Sequence, residues 1–182
     1  GGVVYNKTHN LTNGAVTVPV DDLVAGKYNV TVSYNGDDNY RHADGNANFT
    51  VNKIAPSILV NASDIDYHDS ETINVTVNVD ATGEVSITVT DENGQTVYNN
   101  TAALNSGNAS FTIPNLPAGK YNVTVEYPGD NNYNSGTGKA DFTVNKIDTQ
   151  VNLETENITY GDEEIITVSV NDDATGTVTI SI

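Results

Sequence analysis

Tyr28–Tyr40 reads YNVTVSYNGDDNY, and Tyr121–Tyr133 reads YNVTVEYPGDNNY. In each, Tyr, Val, Val and Tyr alternate with Asn, Thr and Ser or Glu, the period-two signature of a strand with one buried face, and a Gly-Asp turn follows. The spacing between the two is 93 residues, and working outward it holds everywhere. Residues 1–89 lie on 94–182 without a gap, and 43 of the 89 positions are identical. FTVNKI at Phe49 recurs at Phe142, and DATG at Asp80 recurs at Asp173. All ten tyrosines pair at this spacing: Tyr5, Tyr28, Tyr34, Tyr40 and Tyr67 meet Tyr98, Tyr121, Tyr127, Tyr133 and Tyr160.

Alternation continues through the period. Ile73, Val75, Val77 and Val79 share one parity, and Val85, Ile87 and Val89 follow after an Ala-Thr-Gly turn. Asp91-Glu92-Asn93-Gly94 carries the Asn-Gly hairpin signal. Thr96–Thr101 reads as the next strand, Ala109, Phe111 and Ile113 face inward on another, and Ala140, Phe142 and Val144 close the set. With an opening strand near Ile58–Val60, the period holds about seven short strands and no helical spacing. Short strands separated by turn signals every ~8–12 residues predict a two-sheet antiparallel sandwich, and a unit of ~100 residues fits an immunoglobulin-type one.

A more specific motif sharpens this. Leu116-Pro-Ala-Gly-Lys-Tyr121 and its copy Leu23-Val-Ala-Gly-Lys-Tyr28 place Tyr121 and Tyr28 at the start of the penultimate strand, as in the tyrosine corner of Greek-key sandwiches. Together with the twice-repeated A-T-G-x-V-x-I element, these residues resemble the bacterial Ig-like group 3 repeats of bacterial surface proteins and of adhesin-like proteins of methanogenic archaea. The resemblance implies an all-β chain of tandem immunoglobulin-like Greek-key β-sandwich repeats, period 93, arranged as an extended rod. It also implies a structural segment of an extracellular, cell-surface adhesin-like protein, a stalk or fibre, rather than an enzyme.

In that frame residues 1–53 are the second half of one repeat, 54–146 a complete repeat, and 147–182 the first half of another. Lys53-Ile54 and Lys146-Ile147 join repeats without Gly or Ser padding, which restricts bending. Neither half closes a core alone: the first exposes Tyr28, Val30, Val32 and Tyr34, the second Ile166, Val168, Val170, Val178, Ile180 and Ile182. Each such side chain is worth ~1.5–3 kcal/mol when buried, so the expectation is that residues 147–182 pair head to tail with 1–53 of a neighbouring copy, covalently continuous or not. Such a contact generates a fibre.

Composition excludes other classes. The formal net charge is −17, from 24 acids against 7 bases, and those bases (Lys7, Lys27, Arg41, Lys53, Lys120, Lys139, Lys146) are scattered. No nucleic acid and no membrane surface is therefore expected as a partner of this segment. No signal pattern or membrane span is read, so any leader or anchor is expected outside it. Without cysteine there are no disulfides or thiolate metal sites. His9, His42 and His68 correspond to Ala102, Ser135 and Gly161, so no repeat-wide catalysis rests on them, and no catalytic motif or resident cofactor is expected.

Four features invite a closer reading. Gly36–Tyr40 and Gly129–Tyr133 offer hard oxygens, making Asp37 and Asp130 weak calcium candidates against the plainer reading of an Asx turn. Asp64, Asp66, Asp69 and Glu71 read as a solvated loop. Lys53 and Lys146 fall on inward parity, where a Lys-Asn or Lys-Asp isopeptide bond competes with a lysine snorkelling past the repeat boundary. Sequons occur at Asn6, Asn10, Asn29, Asn48, Asn61, Asn74, Asn99, Asn108, Asn122 and Asn157, and on strands they fall on outward positions open to N-glycosylation in a secreted protein. The rival to a shaft is a module that itself binds a cell-surface glycan or partner cell, which would display an exposed aromatic cluster.

Overall fold

A computed structural model describes residues 2–182. Gly1, the counterpart of Gly94, lies outside them. The described chain is all-β, with twelve strands and no helix.

Residues 59–145 build a two-layer sandwich. One layer has five strands in the order β4 (Ile65–Asp66), β10 (Gly136–Asn145), β9 (Gly119–Tyr127), β6 (Glu84–Thr90) and β7 (Thr96–Ala103). The other has three, in the order β3 (Leu59–Asn61), β5 (Glu71–Thr76) and β8 (Asn108–Ile113). The first segment changes sheets: β3 pairs antiparallel with β5, and a few residues later β4 pairs in parallel with β10. Crossing from β5 to β6 and back from β7 to β8 interleaves the layers.

The alternating apolar rows meet between the layers. Ile73, Val75 and Val77 face Val85, Ile87 and Val89, with Phe111, Ile113, Tyr121, Val123, Val125, Tyr127, Phe142 and Val144 completing a dry core. Each row buries because successive strand residues point to opposite faces. Gly138 sits within this packing: a Cβ there would come within 2.6 Å of Ile58 Cγ2 and 2.7 Å of Val60 Cγ2, so its bare backbone lets β3 lie against β10.

One local expectation is corrected. Val79 is exposed rather than inward, because the ladder ends at Val77, whose N–H donates to Gly107 O (2.7 Å), and the chain then turns with Ala81 N–H on Asn78 O (2.9 Å). Ala81 takes the buried place instead. The hairpin read at Asp91–Gly94 is present, joining antiparallel β6 and β7. Of Asn93 and Gly94 only Gly94 has positive φ (78°), Asp91 Oδ1 accepts from Asn93 N–H and Gln95 N–H, and the β6–β7 register slips between Val89 and Thr90. A one-residue bulge absorbs the extra turn residue.

Outside the sandwich, β1 (Gly26–Tyr34) and β2 (Ala43–Val51) form one antiparallel pair, and β11 (Asn152–Glu154) and β12 (Thr167–Ser169) another. The β1–β2 register, Gly26↔Val51 through Tyr34↔Ala43, equals that of β9–β10, Gly119↔Val144 through Tyr127↔Gly136, position for position. Unusual backbone conformations coincide too. Asn13 and Ser106, Asp22 and Asn115, and His68 and Gly161 all have positive φ, although L side chains rarely adopt it.

Candidate functional site

The loop Gly129–Tyr133 is fixed by its own aspartate. Asp130 Oδ1 accepts from Asn132 N–H (2.8 Å) and Tyr133 N–H (2.9 Å), and Oδ2 accepts from Thr82 N–H (2.8 Å) and Thr82 Oγ1–H (3.1 Å). Partial burial pushes the Asp130 pKa up, but the N–H donors of Thr82, Tyr133 and Asn132 outweigh it and hold the carboxyl well below its ordinary range. Gly129 completes the turn at φ 87°, where a Cβ would meet Tyr133 O at 2.7 Å. The Tyr133 hydroxyl reaches across to Asp80 Oδ1 (2.6 Å). The earlier loop has the same form: Asp37 Oδ1 accepts from Asn39 and Tyr40 N–H (2.8 Å each) and Oδ2 from the Tyr34 hydroxyl (2.6 Å). Both carboxylates are thus spent on Asx-type turns, and among the described residues no group of three His, Cys, Asp or Glu is arranged to hold a metal ion.

Of the acidic run, Asp64, Asp66 and Asp69 are exposed as the solvated-loop reading expects, and Glu71 alone corrects it. Glu71 is buried, its Oε1 accepting Ser63 N–H (2.8 Å). Asp64 Oδ1 accepts Thr143 N–H (2.7 Å), and Asp66 Oδ1 accepts Asn145 Nδ2–H (3.2 Å), which staples the short β4 to β10. Glu164 repeats the Glu71 contact on Glu156 N–H (2.8 Å).

Lys53 and Lys146 are both exposed, so inward parity does not carry either into the core where an isopeptide bond would form. Beyond the last ladder pair the chain leaves the sheet, and Lys53 Nζ donates instead to Asp130 O across the boundary between the β1–β2 pair and the central sandwich. Ala25 N–H donates to Asn132 Oδ1 (3.1 Å) over the same boundary, and Ile54 bridges Tyr133 through Ile54 N–H on Asn132 O (3.0 Å) and Asn134 N–H on Ile54 O (2.9 Å). The sequence reading missed Asn132. The signal was present in Asn39, which recurs while its neighbour changes from Asp38 to Asn131.

Tyr121 and Tyr28 occupy matching corners: their hydroxyls donate to Pro117 O and Val24 O, four residues upstream, at 2.7 Å each. Their rings stack on Phe142 and Phe49 at centroid distances of 5.3 Å each. All ten sequon asparagines are exposed. Asn29 lies directly opposite Asn48, and Asn61 directly opposite Asn74. Asn108 Nδ2–H is engaged by Ser106 O (2.9 Å) and Asn99 Nδ2–H by Thr88 Oγ1 (3.3 Å). His9 contacts Tyr5, His42 contacts Asp44, and His68 Nε2 lies 3.5 Å from Asp173 Oδ2, so the three histidines are not gathered into one site. No helix among the described residues is long and apolar enough to cross a membrane.

Residues 59–145 match the bacterial Ig-like domain (group 3) family. No curated protein matches the sequence. Among solved structures, CopC from Methylosinus trichosporium OB3b is 17% identical with a TM-score of 0.42, over 50% of this chain and 97% of that one. The apo structure of β-glucuronidase 3 from Bacteroides uniformis is 15% identical with a TM-score of 0.33, over 63% of this chain and 15% of that one. At such scores neither likeness bears on function.

Proposed function

Taking as premise that residues 59–145 belong to the bacterial Ig-like domain (group 3) family, we propose that the chain is a segment of a tandem array of such sandwiches, serving as a stalk or fibre of an extracellular, cell-surface adhesin-like protein. One observation carries this reading. The face that is core in the central sandwich is half-buried or exposed in the flanking halves, where the same residues recur. Val123 and Val125 are 1% and 0% exposed, whereas their counterparts Val30 and Val32 are 38% and 61%. Val85 and Ile87 are fully buried, whereas Val178 and Ile180 are 56% and 51% exposed. Gly138 is hemmed in by Ile58 and Val60, yet its counterpart Gly45 has nothing within 4 Å of where a Cβ would stand. A half-sandwich that keeps an apolar row and a vacant glycine is shaped for the missing half.

In this reading residues 1–53 are completed by the first half of a preceding repeat, and 147–182 by the second half of a following one. The aromatic residues support a shaft over a glycan-binding module: Tyr28 and Phe49 form the stacked pair that Tyr121 and Phe142 bury in the complete sandwich, so they are core in waiting rather than a binding platform. Outward sequons would give the shaft a glycan coat. Negative-stain imaging of the native assembly tests the proposal: thin beaded filaments are expected, and compact particles would remove it.

A further inference from the structure

We propose that successive repeats lock through one recurring joint. The tyrosine-corner loop, last-strand lysine and first-turn tyrosine of one repeat grip the Gly-Asp-x-Asn-Tyr and Asp-Ala-Thr-Gly loops of the next. This rests on the tandem reading above and names the surfaces that neighbours would share.

Two boundaries are present, and each displays a different half of the joint. At the first, Ala25 N–H and Lys53 Nζ reach Asn132 Oδ1 and Asp130 O, and Ile54, the first residue of the receiving repeat, is held to Tyr133 of that same repeat. At the second, His68 Nε2 lies 3.5 Å from Asp173 Oδ2 with the Tyr67 ring against the imidazole at 4.1 Å, and the nearness of the Asp173 carboxylate raises the Tyr67 phenol pKa while that of the carboxyl is lowered. Shifted by 93 residues, the two halves address different loops of one repeat, Gly129–Tyr133 and Asp80–Gly83, and Asp80 Oδ1 also takes the Tyr133 hydroxyl of its own repeat (2.6 Å). The counterpart of Tyr67 at the first boundary, and that of Asn132 at the second, fall outside the sequence.

Recurrence separates joint from loop. Ala25, Asn39, Lys53, Ile54, Tyr67 and Asp80 recur as Ala118, Asn132, Lys146, Ile147, Tyr160 and Asp173. Asp38, in the middle of the first loop, becomes Asn131, and both are exposed. Asp130 closes its loop from within, but the Asn132 carboxamide oxygen is aimed out of its own domain at Ala25. The receiving surface is preformed. Gly36–Tyr40, with nothing docked on it, holds the same turn, Asp37 N–H donating to Tyr40 O at 2.8 Å against 3.1 Å for Asp130 and Tyr133. By the same geometry the free corner Leu116–Gly119 and Lys146 fit the Asn-Tyr loop of a following repeat, and Gly36–Tyr40 fits the Ala-Gly-Lys corner of a preceding one.

The chain has no cysteine, so Thr31→Cys and Thr72→Cys supply two label sites in the full chain for distance measurement by pulsed electron paramagnetic resonance. A single narrow distance is expected between β1 and the central sandwich. Asn132→Ala should lose the narrow peak while the Tm of the sandwich stays unchanged, and Asn131→Ala should keep it. A broad distribution in the parent chain, or Asn132→Ala indistinguishable from Asn131→Ala, would overturn the joint. A narrow, Asn132-dependent distance in a chain whose native assembly images as compact particles would sink the stalk and keep the joint.

Discussion

The Tyr121 hydroxyl donates a hydrogen bond to the carbonyl oxygen of Pro117 at 2.7 Å, tying the start of β9 to the corner that precedes it. Tyr121→Phe removes the donor and leaves that carbonyl unpaired beside a buried ring, at an expected cost of ~1–3 kcal/mol. Tyr28→Phe, in the bare hairpin, should leave the main unfolding transition in place. Urea titrations of both variants check this, and equal effects would refute it.

The Tyr127 hydroxyl, which donates to Thr82 O (3.2 Å), has its pKa pushed up to about 12, first by burial and then by the neighbouring Asp130 carboxylate. An unfolded tyrosine loses its proton near 10, so the stability due to Tyr127 is complete below pH ~10 and is lost as pH rises through about 12. Asp130 has the opposite sign. Its folded pKa is lowered, so its contribution is present above the unfolded carboxyl value of ~4 and is lost as pH falls below it. Stability measured against pH should therefore lose part of its alkaline slope in Tyr127→Phe and part of its acid slope in Asp130→Asn. Profiles parallel to the parent would contradict both assignments.

Gly138→Ala drives a methyl into Ile58 and Val60 and should destabilise the sandwich by ~1–3 kcal/mol, since overpacking a filled core strains its neighbours. Gly45→Ala should have no effect in this chain, where the space is open. In a longer array with the preceding half present, it should cost as much as Gly138→Ala. Calorimetry on the two lengths separates these outcomes, and a length-independent Gly45→Ala would argue against completion by a neighbour.

Glycans are expected on outward strand positions such as Asn29, Asn74 and Asn122. Directly opposed residues carry Cβ atoms only ~5 Å apart, so Asn29 with Asn48, and Asn61 with Asn74, should each accept one glycan rather than two. Glycopeptide mass analysis of natively sourced material decides it, with double occupancy of either pair as the contrary result.

Much of the central sandwich was legible because strand parity maps directly onto burial. Ile73, Val75, Val85, Ile87, Val89, Val123 and Val125 alternate in sequence and are all buried. Parity failed where the chain leaves the ladder: Val79 sits past the last β5 contact, and Lys53 and Lys146 lie beyond the final pairs of their strands. Glu71 was misread because a carboxylate among other acids looks solvated, and the partner that permits its burial, Ser63 N–H, is a backbone group with no sequence mark. His68 against Gly161 looked like free variation. It marks instead a position with left-handed backbone, φ 81° and 99°, where glycine is at ease and histidine is tolerated. The joint was the least legible part, since its donors at Ala25 and Ile54 are main-chain N–H groups.

The parallel contact between β4 and β10 has a mechanical meaning. The chain enters the sandwich at Ile54 and leaves at Lys146, so tension along an array pulls β4 and β10 in opposite directions along their shared axis. The Val144↔Ile65 and Asn145↔Asp66 pairs, the Tyr67 N–H bond to Asn145 O (2.9 Å), and the side-chain bonds of Asp64 and Asp66 then carry load in shear, all at once, rather than peeling apart in turn. Few as they are, these bonds and the β3–β5 ladder just before them form the clamp that a pull from Ile54 meets. The acids that fasten β4 to β10 thereby help set the force at which a stretched sandwich opens.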